Sequence, residues 1–235
     1  MTTEEIMASL EEMGNDQTKK TLMNHGAQEP MFGVKVQDLK KVLKKTKKNH
    51  ELSLELYATG NSDAMYLAGL MADEKQITKE QLQDWVEKAY WYFLYEYTVP
   101  WIAADTEFGF ELGLEWIKSD KENIAAAGWS TLAGYAGVNP DEKLDTDIYT
   151  QLLDQVGEEI HDAQNRVRYT MNGFVIAIGT YIPALTDKAQ EVAAKIGKVK
   201  VNMGGTACKV PLATEYITKV IDKGRVGKKR KTARC

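Results

Sequence analysis

The sequence predicts an all-α chain folded as a curved α-solenoid of antiparallel helix pairs. Three observations carry this. Apolar residues recur at three- and four-residue spacing in nearly every segment, and only Val199–Met203 alternates as a strand would. The later segments VPWIAADTEFGFELGLEWIKSD, ENIAAAGWSTLAGYAG, IYTQLLDQVGEEIHDA and NRVRYTMNGFVIAIGTYIP read as helix pairs whose Ala- and Gly-rich members permit close stacking. With 235 residues, 43% of them hydrophobic and 27% charged, core size is not limiting, since such a domain buries roughly 70–75% of its unfolded-chain surface.

The elements follow in order. Thr2-x-x-Glu5 is a capping box that opens an acidic amphipathic helix, MTTEEIMASLEEMG, without the charged-then-apolar layout of a signal peptide. Asn15 reads as the next N-cap and Gly26 as a stop. In VKVQDLKKVLKKTKKNH, Val36, Leu39, Val42 and Leu43 share one side of a helix, opposite Lys40, Lys41, Lys44, Lys45, Lys47 and Lys48. That lysine face is either a solvated surface or a phosphate-binding one. Gly60 reads as a stop, Ser62 as an N-cap, Thr78-x-x-Gln81 as a second capping box, Asp120 as an N-cap and Gly224 as a final stop. About twelve helices of roughly 10–20 residues result.

Residues 1–222 are expected to form a single helical-repeat domain and 223–235 a flexible basic tail. The tail holds seven of the chain's Lys and Arg and no acid, so the net charge of −4 conceals a body of 23 basic against 34 acidic residues, or −11. Such a tail suits phosphates, whereas the acidic body suits a basic protein partner. No apolar run approaches the ~20 residues a membrane span requires, so a cytoplasmic location is expected. Cys208 and Cys235 with His25, His50 and His161 lack metal-ligand spacing, so neither metal nor cofactor is expected.

The stretch AYWYFLYEYTVPW, Ala89 to Trp101, places seven aromatic residues around one charge, Glu96. On an α-helix Tyr90, Phe93, Leu94 and Tyr97 share one face, Trp91 and Tyr95 another, and Tyr92 with Glu96 a third. One face suffices for a core. The others need a second packed layer or a groove, and Glu96 is either a buried acid bonded to a neighbouring helix or Arg, or a carboxylate on an aromatic wall that stabilises developing positive charge. Arg166, Arg168 and Asn172 begin an otherwise apolar helix and need partners or a groove to project into. In MGGTACKVPLATEY, Gly204, Gly205 and Thr206 read as a turn before a helix or as an anion cradle near Cys208.

MFGVKVQDLKKVLKK, LYATGNSDAMYLAGLMAD, WVEKAYWYFLYEYTVPW and WIKSDKENIAAAGWSTLAG together resemble, in order and spacing, the DNA alkylation repair family of AlkD-type DNA glycosylases, from about residue 15 to about residue 190. The resemblance implies a HEAT-like solenoid whose concave basic face holds duplex DNA, with hydrolysis of the N-glycosidic bond of alkylated purines. The family's catalytic Trp-x-x-x-Asp, set by a Val-Pro that follows, falls here at Tyr92 and Glu96, ahead of Pro100. Its Arg on the next repeat falls at about Ala126, and its second aromatic at Phe174, or at Gly173 in a register shifted by one. The expected catalytic residues are therefore Glu96 and Tyr92. The expected DNA contacts are Lys40, Lys41, Lys44, Lys45, Lys48, Trp91, Arg166, Arg168, Phe174, Lys228, Lys229 and Arg230. The alternative is a non-catalytic solenoid that binds nucleic acid or protein.

Overall fold

The structure, a computed structural model, describes residues 1–234. In chain order the helices are α1 (Thr3–Met13), α2 (Asp16–Asn24), α3 (Val36–Thr46), α4 (His50–Ala58), α5 (Ser62–Met71), α6 (Lys79–Lys88), α7 (Val99–Ala104), α8 (Gly109–Trp116), α9 (Glu122–Val138), α10 (Thr146–Glu159), α11 (Asn165–Tyr181), α12 (Thr186–Ile196) and α13 (Ala213–Asp222). A π-helical stretch, Phe93–Thr98, runs into α7. Among the described residues there is no strand. The fold is the expected curved solenoid of HEAT-like helix pairs: α3, α5, the π-stretch with α7, α9, α11 and α13 pack successively as an inner ladder, backed by α4, α6, α8, α10 and α12.

Local signals set the starts of these helices. Both capping boxes form, at Thr2 with Glu5 and at Thr78 with Gln81, and Asn15 Oδ1 accepts the Thr18 N–H at 2.9 Å. Two expected caps differ. Asn61, not Ser62, caps α5, because its Oδ1 reaches the N–H groups of Asp63 and Ala64 at 3.0 and 3.3 Å. The Ser62 hydroxyl is thereby left to accept the indole N–H of Trp91 at 2.8 Å. At α9 the N-cap is Lys121, and the Asp120 carbonyl instead accepts from the Gln164 amide at 3.0 Å. The alternating Val199–Met203 is not a strand, since Asn202 exchanges both backbone hydrogen bonds with the side chain of Asn165, at 2.7 and 3.0 Å, rather than with a second strand.

The basic end of the chain also departs from expectation: instead of hanging free, residues 227–234 lie as a strap across the C-terminal ends of four inner helices. The Gly227 N–H donates to Thr180 O and the Arg230 N–H to Gly137 O, at 2.9 and 2.8 Å, while Lys229 Nζ reaches Tyr181 O and Ala136 O at 2.7 and 3.0 Å. Farther along, Ala233 N–H donates to Asp105 at 2.7 Å and Arg234 Nη1 to Ala72 O at 2.7 Å. Helix C-termini leave carbonyls without partners at the negative end of the macrodipole, which is where cations and N–H donors are stabilised.

Close helix stacking depends on particular glycines. A Cβ at Gly128 of α9 would sit 2.5 Å from Ile117 N and 2.9 Å from Trp116 C, at the end of α8, whereas one at Gly173 of α11 meets nothing within 4 Å. Gly128→Ala is therefore expected to destabilise the fold by ~1–3 kcal/mol through overpacking. Gly173→Ala should stabilise it by ~0.5–1 kcal/mol through helix propensity. Urea unfolding of the two variants beside wild type checks both signs.

Candidate functional site

The site begins with a proline. Pro100 has no N–H to donate to the carbonyl of Glu96, and its ring would crowd that carbonyl in a regular helix. The backbone responds by widening over Phe93–Thr98: the Val99 N–H bonds to Leu94 O, five residues back, and the Thr98 hydroxyl donates to Phe93 O at 3.1 Å. Widening re-aims the side chains relative to a regular helical wheel. Trp91, expected to meet DNA, is instead a core residue, bonded to Ser62 just ahead of the wide turn.

Glu96 emerges at the inner face but is only 3% exposed, and it is fully engaged. Arg166, at the start of α11, donates Nε–H to Oε1 at 2.5 Å and Nη2–H to Oε2 at 2.6 Å. The guanidinium lies between two rings, 4.5 Å from the centroids of both Tyr92 and Tyr169, with Met203 Sδ 3.5 Å from Nη1. The Arg166 backbone N–H is held in turn by Glu122 of α9 at 2.8 Å. Burial pushes the Glu96 carboxyl up to about 7, against the two Arg166 hydrogen bonds and its charge, which favour the carboxylate. Tyr92 is raised as well, chiefly by burial.

Beside this pair runs a groove of about 280 Å³ between α7, α9 and α11, walled by Tyr97, Trp101, Tyr169 and Tyr181. Gly134 and Gly173 line it and Arg230 of the strap stands at its edge. Of the two candidates for the second aromatic position, Gly173 is the one that lines the groove. Phe174, expected as a DNA contact, is wholly buried, edge-on to Trp129 with centroids 5.0 Å apart. Ala126, where the family's Arg falls, is also fully buried.

The expected cations divide. Arg166 belongs to the Glu96 pair, so its guanidinium is not free for a phosphate. Lys229 is tied to main-chain carbonyls and to Asp141 at 2.8 Å. Lys41, Lys44 and Lys45 on α3 and Lys48 just after it are exposed, and Lys40 is half-buried; Lys41 pairs with Asp38 and Lys48 with Glu74, at 2.7 and 2.6 Å. Arg168 does not join the groove: it lines a separate cavity of about 700 Å³ with Lys198, Lys200 and Lys209, and its Nε has no partner. Lys228 and Arg230 are exposed. Sequence reasoning missed Tyr169, although its place three residues after Arg166 puts it on the same helical face. Among the described residues no group of His, Cys, Asp or Glu is arranged to hold a metal, and no helix is long and apolar enough to cross a membrane.

Comparison with known proteins places this geometry. Residues 6–203 match the family described as DNA alkylation repair enzyme. An uncharacterized protein of Listeria monocytogenes is 34% identical over 225 residues, covering 93% of this chain and 97% of that protein. A Listeria innocua protein, also uncharacterized, is 33% identical over 225 residues, with coverage of 93% and 97%. A solved structure superimposes with a TM-score of 0.91 at 36% identity, over 100% of both chains. It is described as a new family of proteins related to the HEAT-like repeat DNA glycosylases with affinity for branched DNA structures.

Removing Arg166 leaves an unpaired carboxyl in a buried place. Arg166→Met is expected to cost ~3–5 kcal/mol, and the double variant Arg166→Met/Glu96→Leu to recover most of it, because no buried charge then lacks a partner. The single variant also has a larger pH dependence than wild type, because it lacks the Arg166 contacts that oppose the upward shift of Glu96. With the folded-state pKa of Glu96 raised above its unfolded value, the folded chain holds the proton longer, so stability falls as pH rises through that window. The deficit should be smaller at ~pH 5 than at ~pH 8 by thermal unfolding.

Proposed function

The chain belongs to the family of DNA alkylation repair enzymes, and on that premise we propose that it is a DNA-binding member that holds branched DNA along its inner groove and does not excise bases. The observation that carries this is the two-pronged Arg166–Glu96 contact. Excision of a cationic purine needs a carboxylate free to face the sugar as positive charge develops there. In this chain both oxygens of Glu96 are occupied by Arg166, whose own positive charge opposes a second cation beside the carboxylate. Gly173 and Ala126 support the same reading, since neither supplies a ring or a cation to a lesion nucleotide.

Binding has separate support. The groove presents four aromatic rings, and base–aromatic stacking contributes ~1–3 kcal/mol per unpaired base without regard to sequence. Unpaired or splayed bases are what a DNA branch offers and a regular duplex does not. The exposed lysines of α3 and the strap residues Lys228 and Arg230 are the candidate phosphate contacts. A cytoplasmic place of action is part of this proposal.

Two assays test it together: mobility shifts with a three-way junction and a length-matched duplex, and base release from methylated duplex DNA. The junction is expected to bind at least ~10-fold tighter, ~1.4 kcal/mol, with no methylated purine released above buffer. Release by wild type that Glu96→Gln abolishes would restore the glycosylase reading, and equal affinity for both DNAs would remove the preference for branches.

A further inference from the structure

The cations of the docked strap fall into two sets. Lys229 and Arg234 point inward: Lys229 to Ala136 O, Tyr181 O and Asp141, and Arg234 to Ala72 O, Asp105 and Glu74. Lys228, Arg230 and Lys231 are exposed and have no carboxylate partner among the described residues. Their positions connect surfaces that are distant in sequence. Lys231 lines a cavity of about 580 Å³ together with Lys47 and Lys48 at the end of α3, while Arg230 stands at the groove that holds Glu96.

The acids along this edge are already engaged. Asp105 accepts from Thr232, Ala233 and Arg234, Glu74 pairs with Lys48 and Arg234, and Asp141 pairs with Lys229. The outward cations thus form a positive strip on a protein of net charge −4. Their backbone is also held in place before any ligand arrives, which lowers the entropy lost on binding.

The geometry points to one phosphate-binding edge, made of the lysines at the C-terminal end of α3 and the outward face of the strap and completed only when the strap is latched on Asp105, which receives the sugar-phosphate backbone of a DNA arm leaving the groove. This rests on the DNA-binding reading of the groove and adds to it the path of the arm. A backbone suits the strip better than a compact anion does, because the cations are strung along a line that continues into an aromatic groove suited to bases.

The decisive variant is Asp105→Asn in the full chain. It removes a negative charge, so on charge alone DNA binding would tighten. If the latch matters, binding weakens instead, and the salt slope of log K falls by about 1–2 as strap cations leave the interface. Hydrogen exchange at the Gly227 and Arg230 amides reads whether the strap has been released. The surface variant Lys228→Glu/Lys231→Glu keeps the latch and should lower the salt slope by about 2. It also carries the test if Asp105→Asn does not fold.

A released strap with junction affinity equal to or above wild type overturns the proposal, as does an unchanged slope in the double charge reversal. If wild type binds junction DNA and the variants match it, the edge alone is wrong. If wild type binds neither junction nor duplex, the groove reading and the edge fall together.

Discussion

The contact between Arg166 and Glu96 spans 70 residues of sequence and joins the π-helical turn to the first turn of α11. Taking both ions out of water costs several kcal/mol each, and only near-ideal geometry with the remaining donors occupied offsets that. Here two parallel charge-assisted hydrogen bonds are joined by two ring faces, each able to contribute on the order of 0.5–2 kcal/mol once desolvated. The surrounding structure is arranged around these needs. Pro100 forces the wide turn that aims Glu96, Glu122 holds the backbone of Arg166, and Tyr92 and Tyr169 close over the guanidinium.

What the sequence made legible was whatever depends on near neighbours. The capping boxes at Thr2 and Thr78 are four-residue patterns, and both form. The family resemblance, counted back from Pro100, put Glu96 at the acid position, and its bonding to an Arg stood among the readings of the stretch. Less legible was anything decided by a change of helical period. An α-helical wheel gives 100° per residue, but Trp91 precedes the helix in a bend and the π-turn follows at Phe93, so a single wheel drawn from Tyr90 could not fix its place. Phe174 and Gly173 differ by one residue, and only packing against Trp129 decides which of them turns inward.

The strap was illegible for a different reason. Seven basic residues in thirteen read as a flexible tail suited to phosphates because Lys229 and Arg234 bond largely to carbonyls at the ends of α5, α9 and α11, and carbonyls leave no mark in sequence. Its side-chain anchors, Glu74, Asp105 and Asp141, lie far back in the sequence and are ordinary acids following helices. Once docked, the strap changes what the charges mean. Its inward cations satisfy helix ends, and its outward ones no longer belong to a tail that must be ordered when a ligand binds.

The two halves of the site are linked by charge. A free carboxylate at the floor of an inner groove would repel phosphates and favour a cationic lesion, which is the requirement of an excision site. Neutralised by Arg166 and covered by Tyr92 and Tyr169, the same carboxylate adds no net charge to the groove, while Arg230 at its edge adds a positive one. On the proposed reading, discrimination for a positively charged base falls away and repulsion of the backbone falls away with it. On that same reading, a single arginine contact is what separates an alkylated-base site from a surface that accepts DNA by stacking and shape.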